Sequence, residues 1–213
     1  MTTASNKPSS APERGPMSRT TRPAKTARTA QIINAAADLF AERGFDATSI
    51  QDIAEASGIR KASLYAHVTH KAQFLQIICD DYITRAVENA QAVYASEGNA
   101  DEKLRQIVHF LYGSIECYRS HVVVFLQEAR YVDGEGFEEV RRKRDGWERI
   151  VVAILRDGMA TGELRQSDHS RIVPFLLVGL VQWAYRWYRP TGDLDIDQLT
   201  DLTIDLITKG ITA

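Results

Sequence analysis

The sequence predicts an all-α protein of about nine helices, a helix-turn-helix head followed by a helical body. Three observations lead there. Apolar residues recur at three- and four-residue spacing from Thr29 onward, and no stretch sustains the alternation of a strand. Glycine punctuates that periodicity at Gly44, Gly58, Gly98, Gly162 and Gly192. The stretch from Thr48 to Lys71, TSIQDIAEASGIRKASLYAHVTHK, reads as two short helices joined by a tight glycine turn.

Residues 1–25 are rich in Ser, Thr, Pro and Ala without apolar periodicity, so a disordered arm is expected. Arg14, Arg19, Arg22, Lys25 and Arg28 run through and just beyond it; they form a solvated tail or add phosphate and minor-groove contacts. The head spans residues 26–71. Its first helix runs from Thr29 to Arg43, with Ile32, Ile33, Ala36, Leu39 and Phe40 inward and Gly44 as the stop. Thr48 is the expected cap of the next helix, with Gln51 completing a capping box. Ala54 lies where two helix backbones cross closely, and Gly58 supplies the positive φ of a sharp turn. Ile59 plugs the angle between the helices. The second helix of the pair covers Arg60 to Val68, with Leu64 facing the core. Its N-terminal end leaves Arg60, Lys61, Ala62 and Ser63 exposed, and in a helix-turn-helix that end meets base edges.

The body spans residues 72–213. A helix from Lys71 to Ser96 joins it to the head, with Phe74, Leu75, Ile78, Tyr82 and Val93 in its stripe. Helices follow over Asp101–Arg119 and His121–Tyr131, then a loop at Asp133 to Gly136, then a long helix from Phe137 to Thr161. The eighth runs from Asp168 to Tyr188, with Pro174 tolerated in its first turns. It is apolar nearly all round and needs cover on more than one side. The ninth runs from Ile196 to Ile211, with two stripes: Leu199, Leu202, Leu206 and Ile207, and Ile196, Ile204 and Ile211. Each of these last two helices carries more apolar surface than one subunit can cover. A homodimer through both, about a two-fold axis, is therefore expected, and two heads so joined read a palindromic operator in double-stranded DNA.

Charge supports a one-ended DNA binder. Residues 1–71 hold ten Lys and Arg against six Asp and Glu, while residues 72–213 hold sixteen against twenty-two. A basic head on an acidic body meets nucleic acid with one end only. The longest uncharged run, Ile172 to Tyr185, has 14 residues and suits a buried helix rather than a membrane span. No apolar core of a signal peptide precedes the head, so a cytoplasmic protein is expected. Cys79 and Cys117 lack CxxC partners and read as two buried, reduced thiols, with a redox-sensing pair as the alternative; no Cys and His cluster has zinc-site spacing.

Residues 28 to 75 resemble the DNA-binding domain of the TetR family of transcriptional regulators. The matching pieces are IINAAADLFAERGFDATSI, QDIAEASGI and SLYAHVTHKAQFL, in order and without a gap. The resemblance implies a three-helix DNA-binding head, a ligand-binding body, a homodimer and a small effector that changes DNA affinity. It also supports Thr48, Tyr65, His67 and Lys71 as phosphate contacts. The chain departs from the family at Ala62, Ala66, Val68 and His70, which alters contacts rather than the fold. The RWYRP segment at Arg186 to Pro190 resembles that of TetR regulators responding to acyl-coenzyme A thioesters in lipid, steroid or aromatic-acid breakdown. No cofactor is implied beyond such an effector.

Trp183 and Arg186 are three apart on one helix face and suit a ligand with an apolar and an anionic or carbonyl part. Gln127 and Arg130 are candidates for its polar end. An aromatic dimer interface capped by Arg is the competing reading of the same segment. The run Arg141 to Arg144 offers charge to a coenzyme A phosphate or is a solvated helix face. The expected function is a ligand-released repressor; a regulator of drug efflux with a cationic or hydrophobic ligand is the alternative. A helical enzyme is remote, and no catalytic residues are assigned. Asp80 and Asp81 are adjacent, which on a helix points them about 100° apart, and no glycine-rich phosphate loop is present.

Overall fold

The structure, a computed structural model, describes residues 21–66, 68–132, 134–166 and 171–211. Among them every regular element is helical. The head comprises α1 (Thr21–Arg43), α2 (Ile50–Ala56) and α3 (Lys61–Leu64). The body comprises α4 (Lys71–Ala95), α5 (Ala100–Cys117), α6 (Arg119–Glu128) with a 3-10 turn at Ala129–Tyr131, α7 (Gly134–Thr161), α8 (Val173–Gln182), α9 (Ala184–Trp187) and α10 (Ile196–Ile211).

Boundaries differ from expectation most at α1, at α7 and along the eighth predicted helix. α1 begins at Thr21, so residues 21–25 of the expected arm are helical. Pro23 falls in the first turn, where its missing N–H costs nothing, and Ala24, Ala27 and Ala30 favour continuation. The rest of the arm, residues 1–20, lies outside the described residues. α7 starts at Gly134, so most of the expected loop is its first turn. The eighth predicted helix is two pieces, α8 and α9, joined at Trp183, whose backbone stays helical at φ −63° and ψ −22°. Its expected start at Asp168 lies outside the described residues.

One apolar core runs from Ile32 in α1 to Ile207 in α10. α4 is its spine: Phe74, Leu75, Ile78, Cys79, Tyr82, Ile83, Ala86, Ala90 and Val93 are buried at helical spacing, and α7, α6 and α5 pack around it. α10 lies along α5. The head docks on the body chiefly through α1 against α6 and α4. At that seam the Ser120 hydroxyl donates to the Asp38 carboxylate, and the buried Glu128 carboxylate accepts from the Phe45 N–H at 3.4 Å. The Phe45 ring stacks on Tyr131 at 5.4 Å and meets Phe40 edge-on at 5.3 Å.

The last helices are only half covered. In α8, Pro174, Leu177 and Val181 are buried while Phe175, Leu176 and Leu180 are exposed. In α10, Leu199, Ile204 and Ile207 turn inward while Leu202 and Leu206 face out. The stripe read as one face of the ninth helix is therefore split between core and surface.

Candidate nucleic-acid interface and effector cavity

The helix-turn-helix closes as its residues require. Ile53, Ala54 and Leu64 are buried, and Gly58 takes φ +63°. The Ile59 N–H donates to the Ala54 carbonyl at 3.0 Å, which locks the turn. Arg28 of α1 reaches across to donate to the Gly58 carbonyl at 3.3 Å, so this basic residue braces the turn.

The cap of α2 is Ser49, one residue beyond the expected Thr48. The Asp52 N–H donates to Ser49 Oγ at 3.1 Å, and the Ser49 N–H donates to the Asp52 carboxylate at 2.7 Å. Hydrogen bonding by Ser49 holds the Asp52 carboxyl below the usual carboxylate range. Thr48 is 1% exposed, and its hydroxyl donates to the Gly44 carbonyl at 2.8 Å. Its side chain is a buried strut between α1 and α2, which corrects the reading of Thr48 as the cap of α2. Helix pairing forces the correction: the residue preceding Ser49 must face α1, and a threonine there satisfies a carbonyl that the end of α1 leaves open.

Arg60, Lys61, Ala62 and Ser63 are all exposed at the start of α3. Arg60 has extended backbone (φ −72°, ψ 142°) and precedes the helix instead of opening it. α3 itself is short, yet the Val68 N–H still bonds to the Leu64 carbonyl at 3.2 Å and carries the turn onward. Tyr65 is 49% exposed, so it is no core aromatic. Lys71 is half-buried: its Nζ donates to the carbonyls of Phe45 (2.7 Å) and Asp46 (3.4 Å) and lies 4.3 Å from the Phe45 ring centre. Two of its three N–H donors thus tie α4 to the head loop, leaving one to point elsewhere. His67 lies outside the described residues.

The candidate ligand residues do not converge on one pocket. Gln127 Nε2 and Arg186 Nε both donate to the Tyr185 hydroxyl, at 2.7 and 3.0 Å. With Arg119, Ser120 and Asp38 they line an open surface cleft of about 390 Å³ against α1. Trp183 carries the Arg186 guanidinium 4.9 Å from its ring centre but faces outward, 58% exposed, beside the uncovered α8 face. Arg130 does not join them and lies over Tyr131 at 4.9 Å. The basic run on α7 is neutralised by its own helix and by α4: Arg141 pairs with Glu138 (3.6 Å), Arg142 with Glu139 (2.7 Å), Lys143 with Asp80 and Arg144 with Glu148 (3.7 Å).

A more enclosed cavity of about 330 Å³ lies between α4, α5 and α6. α4 supplies Asp81, Tyr82, Arg85, Glu88 and Asn89; Phe110 and Ser114 come from α5, with Tyr118 and His121 at the turn into α6. Arg85 Nε donates to Asp81 at 2.9 Å, and its guanidinium sits 5.0 Å from the Tyr118 ring centre. Burial pushes the Tyr82 hydroxyl up and the His121 imidazole down from their ordinary values. Asn89 Oδ1 is buried without a protein partner. One signal in the sequence could have found this cavity: Asp81, Arg85 and Asn89 recur every fourth residue along a helix otherwise inward and apolar there.

An exposed basic tip on a glycine-turned helix pair, docked on a helical body with a cavity, is the arrangement the family comparison then meets. Residues 32–77 match the family described as bacterial regulatory proteins, tetR family, and residues 97–211 match the tetracyclin repressor-like C-terminal domain. The chain belongs to the TetR family. Its relatives are transcriptional regulators. The HTH-type transcriptional repressor KstR2 of Mycolicibacterium smegmatis is 28% identical over 183 residues, covering 85% of this chain and 89% of that protein. The structure of the ketosteroid transcriptional regulator KstR2 of Mycobacterium tuberculosis superposes with a TM-score of 0.80 at 26% identity, over 87% of this chain and 95% of the other. That of AibR in complex with isovaleryl coenzyme A and operator DNA gives 0.76 at 25% identity, over 85% and 98%. As a TetR protein the chain is a ligand-responsive, DNA-binding transcriptional regulator.

Proposed function

We propose that this TetR protein is a repressor that binds a palindromic operator as a homodimer and lets go when a small effector, an acyl-coenzyme A thioester, enters the body. The exposed tip from Arg60 to Ser63 carries the DNA half of this reading. Arg60 and Lys61 suit guanine acceptors, and Ala62 and Ser63 the neighbouring bases. Tyr65, His67 and the third N–H of Lys71 suit backbone phosphates; the backbone around Thr48 and Ser49 contributes through the start of α2. A protein that reads operator DNA works where that DNA is, in the bacterial cytoplasm.

The uncovered apolar faces support the dimer. Phe175, Leu176, Leu180, Trp183 and Trp187 on α8 and α9 and Leu202 and Leu206 on α10 are exposed in one subunit. They are the residues a two-fold four-helix contact would bury, and Trp183 belongs there more readily than in a pocket. AibR, whose structure holds isovaleryl coenzyme A and operator DNA, supports the thioester.

α4 carries the signal in this reading. It lines the cavity with Asp81, Arg85 and Asn89 and begins at Lys71, on the head loop. A ligand that shifts α4 changes the distance between the two reading helices. Coupling of about 1–3 kcal/mol, usual for such systems, weakens DNA binding by roughly one to two orders of magnitude. A second reading has an observation of its own: Asp81 and Glu88 outnumber Arg85 in the cavity wall, which favours a cationic or neutral apolar ligand, as in drug-efflux regulation. Fluorescence anisotropy on DNA from the region upstream of the chain's own gene, titrated with acyl-coenzyme A thioesters, free acids and hydrophobic cations, separates the two. Release by thioesters supports the first reading, and release by cations alone replaces it with the second.

A further inference from the structure

The inner cavity shares a wall with a second one. Asn89 and Phe110 line both it and an outer cleft of about 750 Å³ between α5 and α10. The two described side-chain atoms that are buried and unpaired, Asn89 Oδ1 and Thr200 Oγ1, both belong to residues of that outer cleft. Thr200 is 2% exposed. Such atoms have lost water without gaining a partner, and a ligand's polar group that draws the side chain round to meet it is rewarded. An amide oxygen accepts only, so the group that satisfies Asn89 must bring an N–H or O–H.

Size and charge narrow the rest. At about 330 Å³ the inner chamber is at the bottom of the range for small-molecule sites, roughly 300–1,000 Å³. It holds a short or one-ring body and not a long chain. The outer cleft is acidic: Arg105 is engaged by Asp101 and Asp201, His109 sits 3.1 Å from Asp197, and Glu102 adds another carboxylate. An anionic group is disfavoured on that side. At the opposite rim the His121 imidazole has no hydrogen bond among the described residues, and Arg85 is half-exposed over Tyr118. Both can donate to a carbonyl, and burial keeps His121 neutral near pH 7.

We propose that the inner chamber takes a small acyl body bearing its own hydroxyl or amide N–H, donated to Asn89 Oδ1, with its carbonyl toward Arg85 and His121. The assignment rests on the ligand-responsive reading above and deepens it: the effector is a short, hydroxylated or amidated acyl group, either free or carried as a thioester. Asn89 discriminates it from the plain acyl group of equal length.

The test uses the full-length protein and four compounds: 3-hydroxyhexanoyl-coenzyme A, hexanoyl-coenzyme A, free 3-hydroxyhexanoate and palmitoyl-coenzyme A. Calorimetry reads binding to the free protein, and anisotropy reads release of operator DNA. A 3-hydroxy compound should bind at least tenfold tighter than hexanoyl-coenzyme A, and the free acid against its thioester tells which source is used. Asn89→Leu should abolish that preference while raising the melting temperature without ligand, because an orphaned acceptor is replaced by an apolar group. Equal binding of the hydroxylated and plain thioesters, with free 3-hydroxyhexanoate binding no tighter than either, overturns the proposal, as does an Asn89→Leu protein that keeps the preference. Binding of palmitoyl-coenzyme A alone overturns it and leaves the thioester reading standing. Tight binding of a hydroxylated compound without release of DNA supports the site and overturns the release mechanism instead.

Discussion

Arg60 and Thr48 show how far one residue's role depends on which way it faces. Arg60 is exposed ahead of α3, where a guanidinium can span both acceptors of a guanine. Arg60→Ala should relax preference at one operator position, about 1–3 kcal/mol for that base; a binding-site selection that returns the wild-type motif would remove Arg60 from the readers. Thr48 faces the other way. Thr48→Val loses the bond to the Gly44 carbonyl and should cost about 1–2 kcal/mol of stability in urea denaturation, leaving the salt dependence of DNA binding unchanged. A flattened salt slope would assign the side chain a phosphate contact. His121 makes stability depend on pH. Burial lowers its pKa from 6.5, opposed by Asp81 and Asp38 and assisted by Arg85. Between the lowered value and 6.5 the unfolded chain binds the proton and the folded chain does not. Stability is therefore full above pH 6.5 and is lost as pH falls below it. The melting temperature should drop on acidification through that range, and His121→Gln should shrink the drop.

Among the elements, α7 shows packing overriding intrinsic preference. Gly158 sits inside this long helix, where helix propensity alone makes Gly→Ala gain about 1 kcal/mol. A Cβ there would lie 2.4 Å from the Ala100 Cβ, and both atoms are fixed to backbone. Overpacking of that kind costs about 1–3 kcal/mol or more, so Gly158→Ala should lower the urea midpoint; a higher midpoint would show that α5 and α7 can part freely. The seam between head and body has the same character. Glu128 of α6 and Lys71 of α4 grip the two ends of the Phe45 residue, one at its N–H and the other at its carbonyl. Motion of α4 or α6 reaches the head through this residue as well as through their packing on α1. Neither grip has a local signature, because 83 and 26 positions separate the partners.

For the whole molecule, the deciding feature is the apolar face left open on α8, α9 and α10. A buried Leu is worth about 1.5–3 kcal/mol, and a two-fold axis counts each one twice. Replacing Leu202 and Leu206 with Glu should therefore give a monomer in sedimentation velocity at micromolar concentration, with operator affinity falling because one head alone remains. A double variant that stays dimeric would move the interface elsewhere. Trp183 lies beside the same face: a helix apolar all round declares that it needs cover, but not whether a ligand, the subunit or a second subunit provides it.

The sequence by itself determined the helical class, the glycine-turned pair with its buried Ile53, Ala54 and Leu64, and the exposure of Arg60 to Ser63. Those follow from local periodicity and from a backbone angle that glycine adopts without strain. Only the tertiary structure decided that Ser49 and not Thr48 is the cap, that Gln127 and Arg186 share a cleft which Arg130 and Trp183 do not line, and that Asp81, Arg85, Asn89 and His121 enclose a cavity. A cap one residue over, or a cavity wall drawn from three helices, is set by how elements cross, and crossing is a balance of contacts between residues far apart in the chain.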